Sequence, residues 1–251
     1  MERINHIRNA LNNHPVRIIE PGGRAHASVA LILEEQPSGL SILLIERSTS
    51  TNDYWSGQIG LPGGRSEPID KSPQHTAERE TREEIGLDLS TTLFLGRLDD
   101  IAPGGLKIVV SCFVYAVNDH PVLCPDKSEI ADAFWVPARE LNNPARISSV
   151  EFIFRNRLRR FPALRVADDK KQPLWGITYN LLRNFYKVVH NVPKQDRRNS
   201  MGAHNNMHTK SKRTGTCRSW LVEFLPHIFL CKLLRPKTYG LQRVAGYHEP
   251  K

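Results

Sequence analysis

What this sequence lacks excludes two small-domain architectures at once. It has four cysteines in 251 residues, Cys112, Cys124, Cys217 and Cys231, and no two stand at a Cys-X-X-Cys spacing. Neither a zinc ribbon nor a dense disulfide framework can be assembled from them, so reduced thiols and a cytoplasmic address are the expectation. The opening residues Met1-Glu2-Arg3-Ile4-Asn5-His6-Ile7 carry no apolar stretch of the kind a secretory leader needs. Long hydrophobic runs are also missing. The longest, residues 220–234, is interrupted by Glu223, Pro226, His227 and Lys232, and no membrane span is expected from it. No internal repeat of solenoid period occurs, and the ten histidines are scattered.

The net charge is +9, a value that can signal nucleic acid or an anionic membrane. Its placement matters more than its size. Residues 191–251 hold 12 Lys and Arg against 3 Asp and Glu, which leaves 23 of each sign in residues 1–190. The body is therefore balanced and nucleic acid is not its expected partner. In the tail, Lys210, Lys212, Arg213 and Arg218 leave a contact with RNA or anionic lipid open. The tail's aromatics do not alternate with those basic residues as a stacking platform requires. An extension foreign to the domain is the competing reading.

Periodicity divides the rest into alternating elements. Ile4, Ile7, Ala10 and Leu11 fall at helical spacing before His14-Pro15. Residues 26–33 and 41–46 read as strands joined by a Pro37-Ser38-Gly39 turn. Ser72 as N-cap, Pro73 at the first position and Gly86 as C-cap delimit a helix. Residues 94–98 predict a short strand, and the almost unbroken apolar run 108–117 a strand buried on both faces, with Cys112 in the core. Residues 134–137 predict another strand, 138–141 a brief helix, and Trp175, Thr178, Leu181, Leu182, Phe185 and Val189 a longer one. Such alternation implies a mixed sheet between layers of helix.

The chemistry concentrates in Arg79-Glu80-Thr81-Arg82-Glu83-Glu84-Ile85-Gly86-Leu87, fifteen residues after the last glycine of Leu61-Pro62-Gly63-Gly64. Spacings of three and four put Glu80, Glu83 and Glu84 on one side of a helix. Taken alone they are what a solvated face with intrahelical ion pairs offers. Three mutually repelling carboxylates beside a glycine-rich turn suit a hard divalent cation instead, and the turn lets the main chain approach a phosphate closely. The pattern reads as a magnesium site for a phosphate-bearing substrate.

These residues resemble the box of the Nudix hydrolases: glycine, five residues, glutamate, seven residues, then Arg-Glu-apolar-X-Glu-Glu-X-Gly-apolar. Arg79, Glu80, Glu83, Glu84, Gly86 and Leu87 match its second half, with Thr81 in place of the apolar residue. The interval from Gly64 to Arg79 is one residue longer than standard. Asp70, six after Gly64, is read equally as the acid of the first half or as an exposed loop carboxylate. Leu43-Leu44-Ile45-Glu46-Arg47-Ser48 and Gly57 to Gly64 resemble the upstream motif of the coenzyme A pyrophosphatase branch. Its spacer is one residue longer here, Asp53 stands where that branch has arginine, and Leu61 replaces phenylalanine.

The resemblance covers about residues 25–190. It implies an α/β fold, a Nudix-type α/β/α sandwich with a mixed sheet, in residues 25–190. Residues 1–24 would be a helical lead-in and 191–251 a loosely structured or disordered tail. It implies a Mg²⁺- or Mn²⁺-dependent hydrolase of a small-molecule diphosphate, with a homodimer possible. The branch points to coenzyme A or its derivatives, giving 3′,5′-ADP and 4′-phosphopantetheine. Nucleotide sugars, dinucleoside polyphosphates or capped RNA are the alternative substrates, and a ligand-sensing or RNA-binding module is the alternative class. By resemblance Glu80, Glu83 and Glu84 hold metal with help from the Gly63 carbonyl, Arg79 orients the carboxylates, and Gly63, Gly64 and Arg47 meet the substrate. Trp55, beside Tyr54, is a candidate to stack on a base, with loop packing as its competing role. Glu129 is the candidate for an outlying ligand or general base, against a plain surface role.

Overall fold

A computed structural model describes residues 2–49, 57–104, 106–118, 120–154, 157–166 and 171–190. Asp53, Tyr54 and Trp55, and the whole of 191–251, lie outside the described residues. In chain order the elements are α1 (Glu2–Asn12), β1 (Ala25–Gln36), β2 (Gly39–Arg47), β3 (Ile59–Gly60), β4 (Gly63–Arg65) and α2 (Pro73–Ile85). They continue with β5 (Leu93–Arg97), β6 (Ile108–Val117), β7 (Ile130–Pro137), α3 (Ala138–Leu141), β8 (Ile147–Phe154), β9 (Arg157–Leu164), β10 (Leu174–Trp175) and α4 (Gly176–His190).

β1 and β6, the two most apolar strands, pair in parallel from Ala25↔Ile108 to Glu34↔Val117. Strands covered on both faces tolerate such continuous apolar runs. Every other pair in this sheet is antiparallel, which makes it mixed. Alternation sorts the side chains onto two cores. Val29, Leu31, Leu33, Ile42, Leu44, Val110 and Cys112 join Ile4, Ile7 and Leu11 of α1 and Ile177, Leu181 and Phe185 of α4. Ala30, Ile32, Leu43, Ile45, Phe113 and Tyr115 join Ala77 and Ile85 of α2 on the opposite face. At about 1.5–3 kcal/mol for each large side chain fully buried, both faces contribute to stability. The expected α/β/α sandwich is what the chain forms. Cys112 lies fully inside, and burial pushes its thiol well above the ordinary range.

One detail of the sheet positions the glycine segment. β1 and β2 stay paired only near their connecting turn, from Gln36↔Gly39 to Leu33↔Ile42. Beyond it they part, and the glycine segment enters the fork. β3 pairs with β2 (Ile45↔Gly60), β4 pairs with β1 (Ser28↔Gly64), and the Ala30 amide donates to the Pro62 carbonyl at 2.9 Å.

Two observations extend the sequence reading. β7 begins at Ile130 rather than near residue 134, because its whole length pairs with β2. Residues 147–164 form a hairpin that the sequence pattern did not announce; with β10 it makes a separate three-stranded sheet. Among the described residues no helix is long and apolar enough to cross a membrane.

Candidate active site

α2 has the ends its sequence demands. Ser72 accepts from the His75 amide at 3.1 Å, Pro73 follows, and Gly86 closes the helix in the left-handed region at φ 71°, its amide donating to the Arg82 carbonyl. The unusual part is what α2 buries. Beside Ala77 and Ile85 it turns Thr76, Arg79, Glu80, Thr81 and Glu84 toward the sheet, opposite the fork that holds the glycines. Charges in such a place must be paired and hydrogen-bonded.

Arg79 does most of the pairing. Only 8% of its side chain is exposed, and all five of its N–H donors have acceptors. Nε and Nη2 form a fork onto Asp70 at 2.8 and 2.9 Å, and Nη2 also donates to the Arg65 carbonyl at 3.1 Å. Nη1 donates to Glu80 at 2.8 Å and to Glu83 at 3.2 Å. Glu83 is the outermost acid, with 41% of its side chain exposed. Glu84 accepts from the Gly63 amide at 2.7 Å, so helix and glycine turn are joined directly. Hydrogen bonds to Asp70, against the opposing effect of burial, hold the Arg79 guanidinium far above its ordinary value. Arg79 stays charged at every accessible pH.

Asp70 is thereby placed. Its carboxylate is 2% exposed, so it is not an exposed loop acid. It accepts from Arg79, from the Glu67 amide at 2.8 Å and from the Thr76 hydroxyl at 3.0 Å, and His75 Nδ1 lies 3.2 Å away. Burial alone would raise its pKa; the Arg79 fork, the Glu67 amide and the Thr76 hydroxyl outweigh that and hold it well below the ordinary carboxylate range. Its position is that of an anchor for Arg79.

The two glycines meet different limits. A β-carbon on Gly63, whose φ is 149°, would lie 2.3 Å from the Ser28 carbonyl oxygen and 2.6 Å from Val29 Cα. On Gly64 it would lie 2.3–2.6 Å from the carboxyl atoms of Glu80. Gly64 thus leaves the space that the Glu80 carboxylate fills.

Two of the remaining sequence candidates, Arg47 and Glu129, lie at the same end of β2. Arg47, at the end of β2, pairs with residues 57 and 58, its amide donating to the Gln58 carbonyl and its carbonyl accepting from the Gly57 amide. Trp55 lies outside the described residues. The segment carrying Glu129 runs along the end of α2, with Cys124 donating to the Ile85 carbonyl and Asp126 to the Glu84 carbonyl. It then meets β2, where the Ser48 amide donates to the Glu129 carbonyl at 2.9 Å. The Glu129 side chain is half-buried.

Among the described residues no three acidic, histidine or cysteine side chains form a ready-made cation cage. In this arrangement Arg79 bridges two of the three glutamates and Gly63 engages the third. The donor set still suits a hard cation. It consists of carboxylate oxygens, and a single N–H-bearing atom already sits within 2.8 and 3.2 Å of two of them.

Sequence reasoning did not single out Ser28, Ser111, Asp100 and His26, a polar group on the α2 face beside the fork. Ser111 donates to Asp100 at 2.8 Å, and His26 Nε2 lies 2.9 Å from the Ser111 hydroxyl. Burial lowers the His26 pKa; Asp100 opposes that and Arg97 reinforces it. The one available signal was a serine interrupting each of two apolar strands.

The family model described as "NUDIX domain" matches residues 24–155. The uncharacterized protein C14C4.10c of Schizosaccharomyces pombe is 39% identical over 110 residues, 41% of this chain and 33% of that protein. The probable nudix hydrolase C6G9.05 of the same organism is 30% identical over 181 residues, 70% of this chain and 61% of that one. An uncharacterized Nudix hydrolase, NudL, of Yersinia enterocolitica is 27% identical over 165 residues, 65% of this chain and 81% of that one. The chain therefore spans about a third of the first relative and about three fifths of the second.

Proposed function

Because the chain belongs to the Nudix family, we propose that it is a hydrolase of a nucleoside diphosphate linked to another moiety, with coenzyme A or a derivative as substrate. The observation that carries this reading is the shared contact of Arg79 Nη1 with Glu80 and Glu83, 2.8 and 3.2 Å. Two carboxylates converge there on one positive centre, beside a glycine turn bound to Glu84. Glu80, Glu83 and Glu84, with the Gly63 carbonyl, are the residues that would hold Mg²⁺ or Mn²⁺. When bound, such an ion offsets phosphate charge and lowers the pKa of a water molecule.

The chain's own residues do the rest. Asp70 holds Arg79, and Arg79 holds Glu80 and Glu83 in register through charge-assisted hydrogen bonds. Gly63 and Gly64 let the turn pack directly against β1 and the Glu80 carboxylate, and the turn is assigned to substrate phosphate. Arg47, at the end of β2, is assigned to substrate phosphate, and Glu129 to removing the proton of the attacking water. Water adds to one phosphorus, the bridging P–O bond breaks, and that oxygen leaves with the second phosphate. Coenzyme A then yields 3′,5′-ADP and 4′-phosphopantetheine. The upstream motif ending in Arg47 and Ser48 favours this substrate.

A hydrolysis panel with products identified by mass tests both levels of the claim. The full chain with Mg²⁺ or Mn²⁺ is offered coenzyme A, nucleotide sugars, dinucleoside polyphosphates and capped RNA. Coenzyme A is expected to be turned over fastest. A clear preference for another compound reassigns the substrate, and no ion-dependent hydrolysis of any of them rejects the activity. Glu83→Gln and Glu84→Gln should each lower turnover about 10²–10³-fold, the usual consequence of losing a preorganised charge. Wild-type turnover in both would reject the site.

A further inference from the structure

Ser28 occupies the point in β1 where its two neighbours across the sheet are Gly64 of β4 and Ser111 of β6. It is completely buried. Alternation along β1 puts its side chain on the face where Ala30 and Ile32 meet α2. Gly64 faces the same way, since a β-carbon there would meet the Glu80 carboxylate. Directly opposed residues of an antiparallel pair have β-carbons about 4.5–5.5 Å apart on one face. The Ser28 hydroxyl and the Glu80 carboxylate therefore flank the same glycine.

That hydroxyl has no hydrogen-bond partner among the described residues. Its polar neighbour offers none, because Ser111 is already engaged with Asp100 and His26. A buried, unsatisfied hydroxyl destabilises a fold, and alanine would fill almost the same volume without that penalty. Packing and hydrogen bonding within the sheet give no reason for serine at this position.

We propose that Ser28 is a positioning residue for the cation site: its hydroxyl donates to the Glu80 carboxylate when that group exchanges Arg79 for a divalent ion, fixing the direction in which it faces the ion. The inference rests on the reading of Glu80 as a cation ligand. Outer partners of this kind typically alter metal affinity or activity by about 10–100-fold when removed.

The test uses the full chain, with Mn²⁺ alone as the probe. Ser28→Ala should melt, without divalent ions, at the same temperature as the wild type or higher. Its Mn²⁺ affinity by titration calorimetry should fall about tenfold, with a parallel loss of kcat at saturating ion. A lower melting temperature with unchanged Mn²⁺ affinity would make Ser28 a structural residue and overturn the proposal. If Ser28→Ala does not fold, Ser28→Cys, which keeps the volume and weakens the donor, decides by the same titration. Two failures remain distinguishable. Wild-type Mn²⁺ binding that Glu84→Gln removes and Ser28→Ala leaves intact defeats the role of Ser28 alone. No Mn²⁺ binding by the wild type defeats the cation site and this inference together.

Discussion

At the scale of single residues, the site depends on what two adjacent glycines do not have. Gly63→Ala would drive a methyl into the main chain of Ser28 and Val29, which cannot retreat without opening the pairing of β4 with β1. Gly64→Ala would instead press on the Glu80 carboxyl group, the movable end of a side chain. The expected outcomes diverge: Gly63→Ala loses stability, by at least about 2 kcal/mol for a core overpacked against backbone. Gly64→Ala stays folded while Mn²⁺ binding and turnover collapse. Urea denaturation alongside ion titration separates the two, and equal loss of stability in both would contradict the assignment. Arg79 makes a second test. Its five donors are all in use, and lysine has three and no fork. Arg79→Lys should lower kcat at least about tenfold despite keeping the charge.

At the scale of elements, legibility followed the size of the signal. α2 was readable to the residue because Ser72, Pro73 and Gly86 each act locally, through the cap and the left-handed turn. β1, β2 and β6 were readable because apolar side chains line them on both faces. The fork was not: β3 and β4 are two and three residues long and contain three glycines between them, so no periodicity exists to detect. The β8–β9 hairpin escaped for another reason. β9 carries Arg157, Arg159, Arg160 and Pro162, residues poorly suited to a strand, and pairing with β8 and β10 overrides them. Asp70 illustrates the same limit within the site, since its partner is nine residues away and the fork between them is tertiary. The local origin of the α2 boundaries has a measurable consequence. Ser72→Ala should cost about 1 kcal/mol, the usual value of a lost N-cap, with turnover unchanged at saturating substrate because the carboxylates sit a turn or more further on. A fall in kcat without a fall in stability would mean that the cap, and not the core beneath α2, orients the acids.

At the scale of the whole molecule, the ion pairs under α2 make stability depend on pH in a definite direction. Asp70 has a folded-state pKa well below its ordinary value near 3.8, so as pH falls the unfolded chain takes up the proton first. Proton uptake by the unfolded state lowers stability. The contribution of Asp70 is complete above about pH 4–5 and is lost progressively as acidity moves from there toward its folded value. Asp99 adds a slope of the same sign. Burial works against it, and the Arg17 amide, His14 and Asn184 outweigh burial. Asp70→Asn removes one of these two and leaves Arg79 without its fork, although Glu80 and Glu83 remain. Near neutral pH that variant should be less stable by about 3 kcal/mol, the lower end for breaking a buried pair. Urea midpoints at pH 7, 4, 3 and 2.5 should show the gap narrowing as pH falls, because acid progressively removes from the wild type what the substitution has already removed. A gap that stays constant down to pH 2.5 would place the pairing energy elsewhere, and with it the claim that the acidic helix is held to the glycine turn through Asp70 and Arg79.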